Sequence, residues 1–166
     1  MVEVGPVPYP AFNTILDEAY PHGLRNYWLS AFTEGIPDGL IDTMVDRFLQ
    51  VPSPMSGMVL EHFHGAVTRV DPAATAVPHR DEGFNLLLPS VWDDAADDDA
   101  NVAWTKDTFA AMKEFFTGGR WLNYLADDQG EDAIRGAYGA NYDRLVELKR
   151  RYDPENVFRA NHNIAS

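Results

Sequence analysis

Hydrophobic residues along the chain follow two periodicities, one typical of β-strands and one of α-helices. Side chains alternate in polarity across residues 58–70, which places Leu60, His62 and His64 on one face of a predicted strand and Glu61 on the other. Two further segments, 24–32 and 84–92, are rich in aromatic or aliphatic residues and predict strands, with a short strand between turns at 71–83. Pro89 cannot donate a ladder hydrogen bond, so we expect its strand at a sheet edge or at a bulge.

Helical spacing of apolar residues predicts the remaining elements. Residues 38–50, 105–117, 131–139 and 142–152 carry apolar positions three and four residues apart, and a short helix is possible at 12–19. Strands and helices do not alternate regularly as β-α-β units. The pattern therefore predicts an α+β fold, an antiparallel β-sheet with helices packed on one face and the other face left uncovered.

The length of 166 residues predicts a single domain. Pro6, Pro8 and Pro10 indicate an extended lead-in over residues 1–10, followed by one domain over 11–166. No phosphate-cradling glycine motif occurs, so no dinucleotide site of known pattern is predicted within the chain.

Charge and composition exclude several classes of function. Thirteen Lys and Arg residues against 26 Asp and Glu residues give a net charge of −13, which repels nucleic-acid phosphates and anionic lipid, so we expect neither as a partner. The absence of cysteine excludes disulfides and thiolate catalysis within the chain. The sequence shows neither a long apolar span nor a signal-peptide pattern, and we expect a cytoplasmic protein.

Two groups of residues carry candidate chemistry. His62 and His64 could together bind a metal ion, but the sequence offers no clear third ligand, so we predict no metal site. We favour the alternative that the two imidazoles line a ligand cavity on the uncovered face of the sheet. Tyr124 could pack in the core or act as a base. A phenol has a pKa near about 10 and serves as a base only when its anion is stabilised.

The tail carries a long, ordered motif. Residues 122–164 include NYLADDQ, YGANYDRLVELKRRYDPENVF and NHNI, in this order. This run resembles the C-terminal ending of the berberine bridge enzyme-like FAD-linked oxidases, and HGAVTRVDPAATAVPHRD and RNYWLSAF are similar to two further segments of that family. The resemblance covers nearly the whole chain, with the tail motif beginning at about residue 120.

The resemblance implies a fold, a cofactor and site residues. In that family a substrate domain faces the flavin ring of FAD, which a preceding part of the polypeptide binds. The matching positions imply that Tyr124 is the catalytic base and that Trp121 replaces a second tyrosine in the substrate pocket. The same resemblance implies that three asparagines lie near the cofactor: Asn123, Asn161 and Asn163. It also implies that His64, which replaces a glycine of the family, lies beside the substrate pocket, and we expect His62 there as well.

The family's flavin-attachment region is not found in this sequence. We therefore expect that the 166 residues alone bind FAD weakly or not at all and are inactive without a flavin-binding domain, in cis or on a second chain. The expected substrate is a hydroxyl-bearing or similar small molecule. The alternative is a stand-alone ligand-binding module that forms a homodimer through the uncovered sheet face.

Overall fold

The chain folds around one antiparallel sheet, with most of its helices in the second half of the sequence. A computed structural model describes residues 5–159 and 162–164. Within them the regular elements follow the order α1 (Tyr9–Asn13), β1 (Arg25–Thr33), α2 (Asp38–Phe48), β2 (Val59–Phe63), β3 (Gly83–Trp92), α3 (Asp98–Ala111), α4 (Glu131–Tyr138) and α5 (Tyr142–Tyr152).

The three strands lie in the order β1-β3-β2, and both pairs are antiparallel. Since α2 and α3 pack against one face, the α+β class predicted from the sequence is confirmed. The helix α1 begins inside the predicted lead-in.

Pro89 lies in the central strand, so its predicted place at a sheet edge is wrong. Its carbonyl accepts a hydrogen bond from the Gly57 N–H at 3.2 Å, which shows that the peptide groups of Pro89 point toward the β2 side. β2 pairs with β3 only from Val59 onward, opposite Leu87. A backbone N–H at position 89 would therefore also point to the β2 side, beyond the end of β2, where it has no strand partner. For this reason Pro89 removes no hydrogen bond between β1 and β3.

The hydrophobic core lies between the sheet and the helices α2 and α3. Leu86 and Leu88 of β3 contact Leu40 of α2 and Met112 after α3, and all four are fully buried. The Trp104 indole N–H donates to the Arg47 carbonyl at 3.0 Å and joins the two helices. α2 buries a narrower face than its sequence predicts, because three of its apolar side chains are exposed: Ile41, Val45 and Phe48.

The second face of the sheet is covered, which corrects the expectation of an open face. Ser30 of β1 and Asn85, Leu87 and Val91 of β3 point to this face and are buried. Loop segments cover them, including the short 3-10 turn Leu122–Tyr124. A homodimer through this face stays a prediction, but the open surface on which it was based is absent from the described residues.

β2 is shorter than predicted. It ends at Phe63, because Gly65 takes a left-handed conformation with φ of 71° and the chain turns through a 3-10 segment at Val67–Arg69. The described residues between 71 and 82 contain no strand.

The C-terminal helix α5 has the predicted bounds. The Asn141 side chain anchors its start by donating to the carbonyls of Pro72 and Thr75, at 2.7 and 3.0 Å. Its predicted apolar stripe is only partly covered, since Leu148 is 39% exposed and Tyr152 is 71% exposed.

Candidate active site

Tyr124 stands over the second face of the sheet at the end of a 3-10 turn. Its backbone N–H donates to the Trp121 carbonyl at 3.0 Å, which fixes the turn. Its hydroxyl donates to Glu61 Oε1 at 2.8 Å. Its ring also lies against Trp28 of β1, with ring centroids 5.9 Å apart. Three separate contacts therefore hold the phenol in one place.

Glu61 and Asn85 form the floor beneath Tyr124. They are paired across the β2 and β3 ladder, and the Asn85 amide donates to Glu61 Oε2 at 2.6 Å. Asn85 is fully buried. Both oxygens of the carboxylate thus accept a hydrogen bond from a fixed neighbour, one from an amide and one from a phenol.

The surroundings of Tyr124 keep its hydroxyl protonated. Burial raises the pKa of Tyr124 well above its ordinary value, and the hydrogen bond to the Glu61 carboxylate raises the pKa further. A phenolate is therefore not the resting state of this residue. The Tyr124 oxygen can take a proton from a ligand only if it passes its own proton on.

A cleft of about 810 Å³ opens beside Tyr124. Its walls include Asn123 and Leu125 from the loop that carries Tyr124, and Tyr20 and Trp28 from the other side. The Tyr20 and Trp28 rings meet edge to face at 5.1 Å. The size and the aromatic walls suit a drug-sized organic molecule.

An ion cluster lies at the rim of the cleft. The Tyr27 hydroxyl donates to Asp128 at 2.9 and 3.0 Å, and Lys106 Nζ bonds the same carboxylate at 2.6 Å. The Lys106 hydrogen bond lowers the pKa of Asp128 below its usual range. This carboxylate is therefore fully ionised and engaged at neutral pH.

Several buried polar atoms on this face have no hydrogen-bond partner within the described residues. They are Trp28 Nε1, Ser30 Oγ, Asn85 Oδ1 and Asn163 Oδ1. His162, the neighbour of Asn163 in the chain, bonds the carbonyl of Leu125 in the cleft wall at 3.2 Å. Buried polar groups nearly always have partners, and Trp28 is the one of these four residues that lines the cleft, so its indole N–H is a candidate for a ligand or water contact.

Trp121 lies on the same face, three residues before Tyr124 in the chain. Its ring contacts Phe63 at 5.5 Å and Phe32 at 6.2 Å, and His79 stacks on Phe32 at 4.5 Å. The indole therefore packs into an aromatic cluster beside the Tyr124 site.

His62 and His64 lie elsewhere. His62 faces the same side of β2 as Leu60, which packs on the helix-side core, whereas Glu61 faces Tyr124. The two imidazoles are exposed and stack on each other at 5.4 Å, and His64 pairs with Glu82 at 3.3 Å. The structure does not bring them to Tyr124, and their role in binding substrate stays a prediction.

Two further findings concern the described residues only. No group of three or more metal-ligating side chains occurs among them. No helix in this part of the chain is long and apolar enough to cross a membrane.

Tyr124 and Asn123 thus line one cleft, and Trp121 packs in the aromatic cluster on the same face of the sheet. Asn163 follows His162, which bonds the Leu125 carbonyl, and Asn161 lies outside the described residues. Sequence reasoning missed Glu61 and Asn85. The alternation of β2 already placed Glu61 opposite the histidines, and Asn85 is the single amide in the strongly apolar segment 84–88, a polar residue where burial is expected.

Fold and site together define an α+β domain with a polar, aromatic-walled ligand cleft against its sheet. Residues 120–165 match the family model "Berberine and berberine like". The chain is 26% identical over 164 residues to an FAD-linked oxidoreductase of Dictyostelium discoideum, covering 98% of this chain and 35% of that protein. It is 33% identical to the aclacinomycin-N/aclacinomycin-A oxidase of Streptomyces galilaeus, over 68% of this chain and 24% of that protein.

Solved structures agree in fold. The berberine bridge enzyme of Eschscholzia californica superposes with a TM-score of 0.77 at 18% identity, covering 85% of this chain and 33% of that one. An aclacinomycin oxidoreductase superposes with a TM-score of 0.71 at 27% identity, covering 81% and 31%. The predicted resemblance to berberine bridge enzyme-like FAD-linked oxidoreductases is confirmed, and the chain spans about a third or less of the length of these relatives.

Proposed function

We propose that the chain is the substrate-side portion of an FAD-dependent oxidoreductase that oxidises a hydroxyl-bearing small molecule, with Tyr124 as the group that accepts the hydroxyl proton. The observation that carries the proposal is the phenol of Tyr124, fixed at 2.8 Å from a carboxylate at the edge of an organic-sized cleft. The homology to FAD-linked oxidoreductases supports the reaction class.

The residues around the cleft fit a flavin. The buried amide oxygen of Asn163 has no partner in the described residues, and Asn123 adds an exposed amide on the cleft wall. Such amides suit the hydrogen-bonding edge of a planar heteroaromatic ring, so we assign Asn123 and Asn163 to the cofactor, together with Asn161 by resemblance. When bound, the flavin supplies at N5 the acceptor for a hydride from the substrate carbon.

The chain's own residues orient the substrate and move its proton. Tyr20 and Trp28 offer aromatic surface against which an organic ring can pack. As the carbonyl forms, a substrate hydroxyl beside Tyr124 Oη gives its proton to that oxygen, while the original Tyr124 proton passes to Glu61 Oε1 along the existing hydrogen bond. A positioned proton acceptor of this kind typically contributes about 10²- to 10⁴-fold to the rate.

The portion seen here forms one wall of the proposed site. Because the chain spans about a third of its relatives, we infer that a flavin-binding portion, in cis or on a second chain, completes the enzyme. The 166 residues alone are then inactive and hold FAD weakly.

The test joins this chain to a flavin-binding portion. The chain is fused downstream of the flavin-binding part of the Streptomyces galilaeus oxidase, in place of the segment it matches. We expect the fusion to hold FAD and to be reduced anaerobically by one or more members of a panel of sugars, phenolic alcohols and polyketide glycosides. The fusion with Tyr124→Phe should still bind FAD, but the rate at which a substrate reduces that FAD should fall about 10²-fold or more.

Two results would overturn the proposal. A folded, flavin-loaded fusion that no hydroxyl compound in the panel reduces contradicts the reaction class. Stoichiometric FAD on the purified 166-residue chain contradicts the need for a second portion.

A further inference from the structure

We propose that the cleft beside Tyr124 selects substrates that carry a protonated amine, and that Asp127 and the rings of Tyr20 and Trp28 bind this amine. We call these three residues the amine subsite. The inference rests on the proposed function and deepens it, since it names the class of hydroxyl-bearing substrate that the cleft takes. It gives a role in specificity to Asp127, which takes no part in the proton transfer.

The lining of the cleft favours a positively charged ligand. Asp127 and Asp128 both line it, and among the described lining residues none is Lys or Arg, so His22 is the one side chain there that can become a cation. The chain as a whole has a net charge of −13. A substrate with a carboxylate or phosphate group would therefore be repelled from this cleft, whereas an ammonium group would be attracted to it.

The two carboxylates of the cleft differ in whether they already hold a cation. Asp128 pairs with Lys106 Nζ at 2.6 Å and accepts from the Tyr27 hydroxyl. Asp127 is exposed, and no salt bridge in the part of the chain that the structure describes involves it. Asp127 is therefore the carboxylate that is left to pair with a charged group of a ligand.

Three aromatic rings in contact with one another form the wall beside this carboxylate. Tyr20 meets Trp28 at 5.1 Å and Trp28 lies 5.9 Å from Tyr124, measured between ring centroids, and all three residues line the cleft. The face of an aromatic ring attracts a cation within about 6 Å, and tryptophan does so most strongly. Because Asp127 follows Tyr124 by three residues in the same lining, one ammonium group can contact a ring face and the carboxylate together.

The protein already holds one ammonium group by the same combination. Lys106 Nζ lies 5.2 Å from the centre of the Tyr27 ring while it pairs with Asp128. A ring face and a carboxylate thus bind a cation at the rim of the cleft, and this cation belongs to the protein. The amine subsite offers the same two kinds of group, and none of the cation–π contacts among the described residues uses its rings.

A neutral polyol is the other ligand that such a cleft could hold, since Asn26 and Asn123 also line it. A hydroxyl group can donate to Asp127 as well, but an ammonium group adds the attraction of opposite charges to the same hydrogen bond. The ring faces likewise favour the cation over a neutral group of the same shape. We therefore assign the subsite to an amine, and a preference for neutral ligands is an outcome that the tests below can return.

The first test measures binding to the 166-residue chain without cofactor. The probes are tyramine, tyrosol and 4-hydroxyphenylacetate, which share a phenol ring and a short side chain that ends in an ammonium, a hydroxyl or a carboxylate group. NMR follows the indole N–H signals of the four tryptophans, and Trp28→Phe identifies the signal of Trp28. At pH 7 and low salt we expect tyramine to bind about tenfold more tightly than tyrosol, and 4-hydroxyphenylacetate to bind least tightly.

Three variants separate the parts of the subsite. Asp127→Asn keeps the size of an exposed side chain, and it should reduce the preference for tyramine over tyrosol to about threefold or less. Asp42→Asn is the matched control, because it makes the same change in net charge at an exposed position of α2, behind the helix-side face of the sheet, and should keep the preference. Tyr20→Leu should also reduce the preference, since a loss of packing alone would weaken both probes equally.

Three results of this test would overturn the amine subsite and leave the proposed oxidation standing. Tyramine and tyrosol could bind equally, or tyramine could fail to bind at millimolar concentration. The third result is a preference for tyramine that Asp127→Asn and Asp42→Asn lower to the same extent, because such a preference would come from the net charge of the chain and not from the cleft.

The second test shows whether the amine binds in the active cleft. In the flavin-loaded fusion, tyramine and tyrosol are compared as inhibitors of flavin reduction by whichever compound of the panel is oxidised. We expect tyramine to raise the KM of that compound at about tenfold lower concentration than tyrosol, with little effect on kcat, and Asp127→Asn to remove most of this difference. Equal inhibition by the two probes overturns the amine subsite alone. A loaded fusion that oxidises no compound contradicts the proposed function, and the binding test still decides on the subsite.

Discussion

Asp153 Oδ1 accepts the backbone N–H of Val157 at 2.7 Å, so a single carboxylate closes the turn that follows the last helix. The other oxygen accepts the Phe158 N–H at 3.1 Å and pairs with Lys149, one helical turn earlier. Pro154 prevents the helix from continuing, and Asn156 takes a left-handed conformation with φ of 52°, which asparagine tolerates better than most residues. The DPEN sequence is therefore a helix terminator, and its carboxylate fixes the two residues that follow the turn.

Replacing the Asp153 carboxylate should destabilise this turn in a pH-dependent way. The Lys149 contact, followed by the two backbone N–H groups, lowers the pKa of Asp153 below the unfolded value of about 3.9. Stability from this group is then complete above that unfolded value and is lost as the pH falls through the lower folded pKa. We expect Asp153→Asn to lower Tm by several degrees at pH 7 and to flatten the acid side of the Tm profile.

Glu147→Gln is the control for Asp153→Asn, since Glu147 is exposed on the same helix. Thermal unfolding followed by circular dichroism from pH 2 to pH 8 measures both. Equal Tm losses in the two variants would show that the turn depends on general charge and not on the Asp153 contacts.

Gly83 opens the central strand at a place where no side chain fits. A Cβ at this position would lie 2.5 Å from the Thr33 carbonyl oxygen, and the residue has φ of 152°. Gly83→Ala must therefore separate the ends of β1 and β3. We expect a loss of about 2 kcal/mol or more in the free energy of unfolding, measured by urea titration.

Gly57→Ala is the matched control for Gly83→Ala, because a Cβ there meets nothing within 4 Å and the N–H bond to Pro89 remains possible. Its cost should stay within about 0.5 kcal/mol. A Gly83→Ala variant as stable as Gly57→Ala would mean that the strand ends relax without cost.

The sequence predicts most of the elements but not what each face of the sheet meets. The spacing of apolar residues is a strong signal in α5 and in β3, and both segments form close to their predicted bounds. Sequence pattern shows that Glu61 and His62 face opposite sides of β2, but it does not show which side the helices cover. That choice depends on Leu60 packing against Leu86, a contact between strands distant in sequence.

The site was predictable only where a motif marks it. Tyr124 and Asn123 stand in the tail segment, so the resemblance identifies them. Glu61 and Asn85 belong to no such segment, and their hydrogen bonds to each other and to Tyr124 join residues that are 24 and 63 positions apart. The strand alternation and the lone amide in an apolar segment mark each residue separately, but neither signal shows that the two side chains pair with each other or with Tyr124.

Leu86 should be among the most sensitive positions of the core. It is fully buried in the central strand and contacts the helix layer through Leu40 and Met112. We expect Leu86→Ala to lower the free energy of unfolding by about 3 to 5 kcal/mol, since rigid strands on both sides prevent the cavity from collapsing. Leu49→Ala removes the same atoms from a side chain that is 80% exposed and should change stability by less than about 0.5 kcal/mol.

His79 should make the stability of the chain depend on pH near neutrality. Its imidazole stacks on Phe32 and donates from Nε2 to the Ala137 carbonyl at 3.0 Å, and burial lowers its pKa below the ordinary value of 6.5. Between these two pKa values the unfolded chain binds a proton that the folded chain does not. The free energy of unfolding should therefore fall as the pH is lowered from about 7.5 to about 5.5.

His79→Gln tests the assignment, because glutamine keeps an N–H donor for Ala137 but does not titrate. Urea unfolding at several pH values should show a smaller decline in the variant than in the unsubstituted chain. His62→Gln, at an exposed imidazole on the opposite side of the sheet, should leave the decline unchanged. If His79→Gln and the unsubstituted chain lose stability in parallel over this range, the buried imidazole is not the group that titrates, and the dependence belongs to the carboxylates.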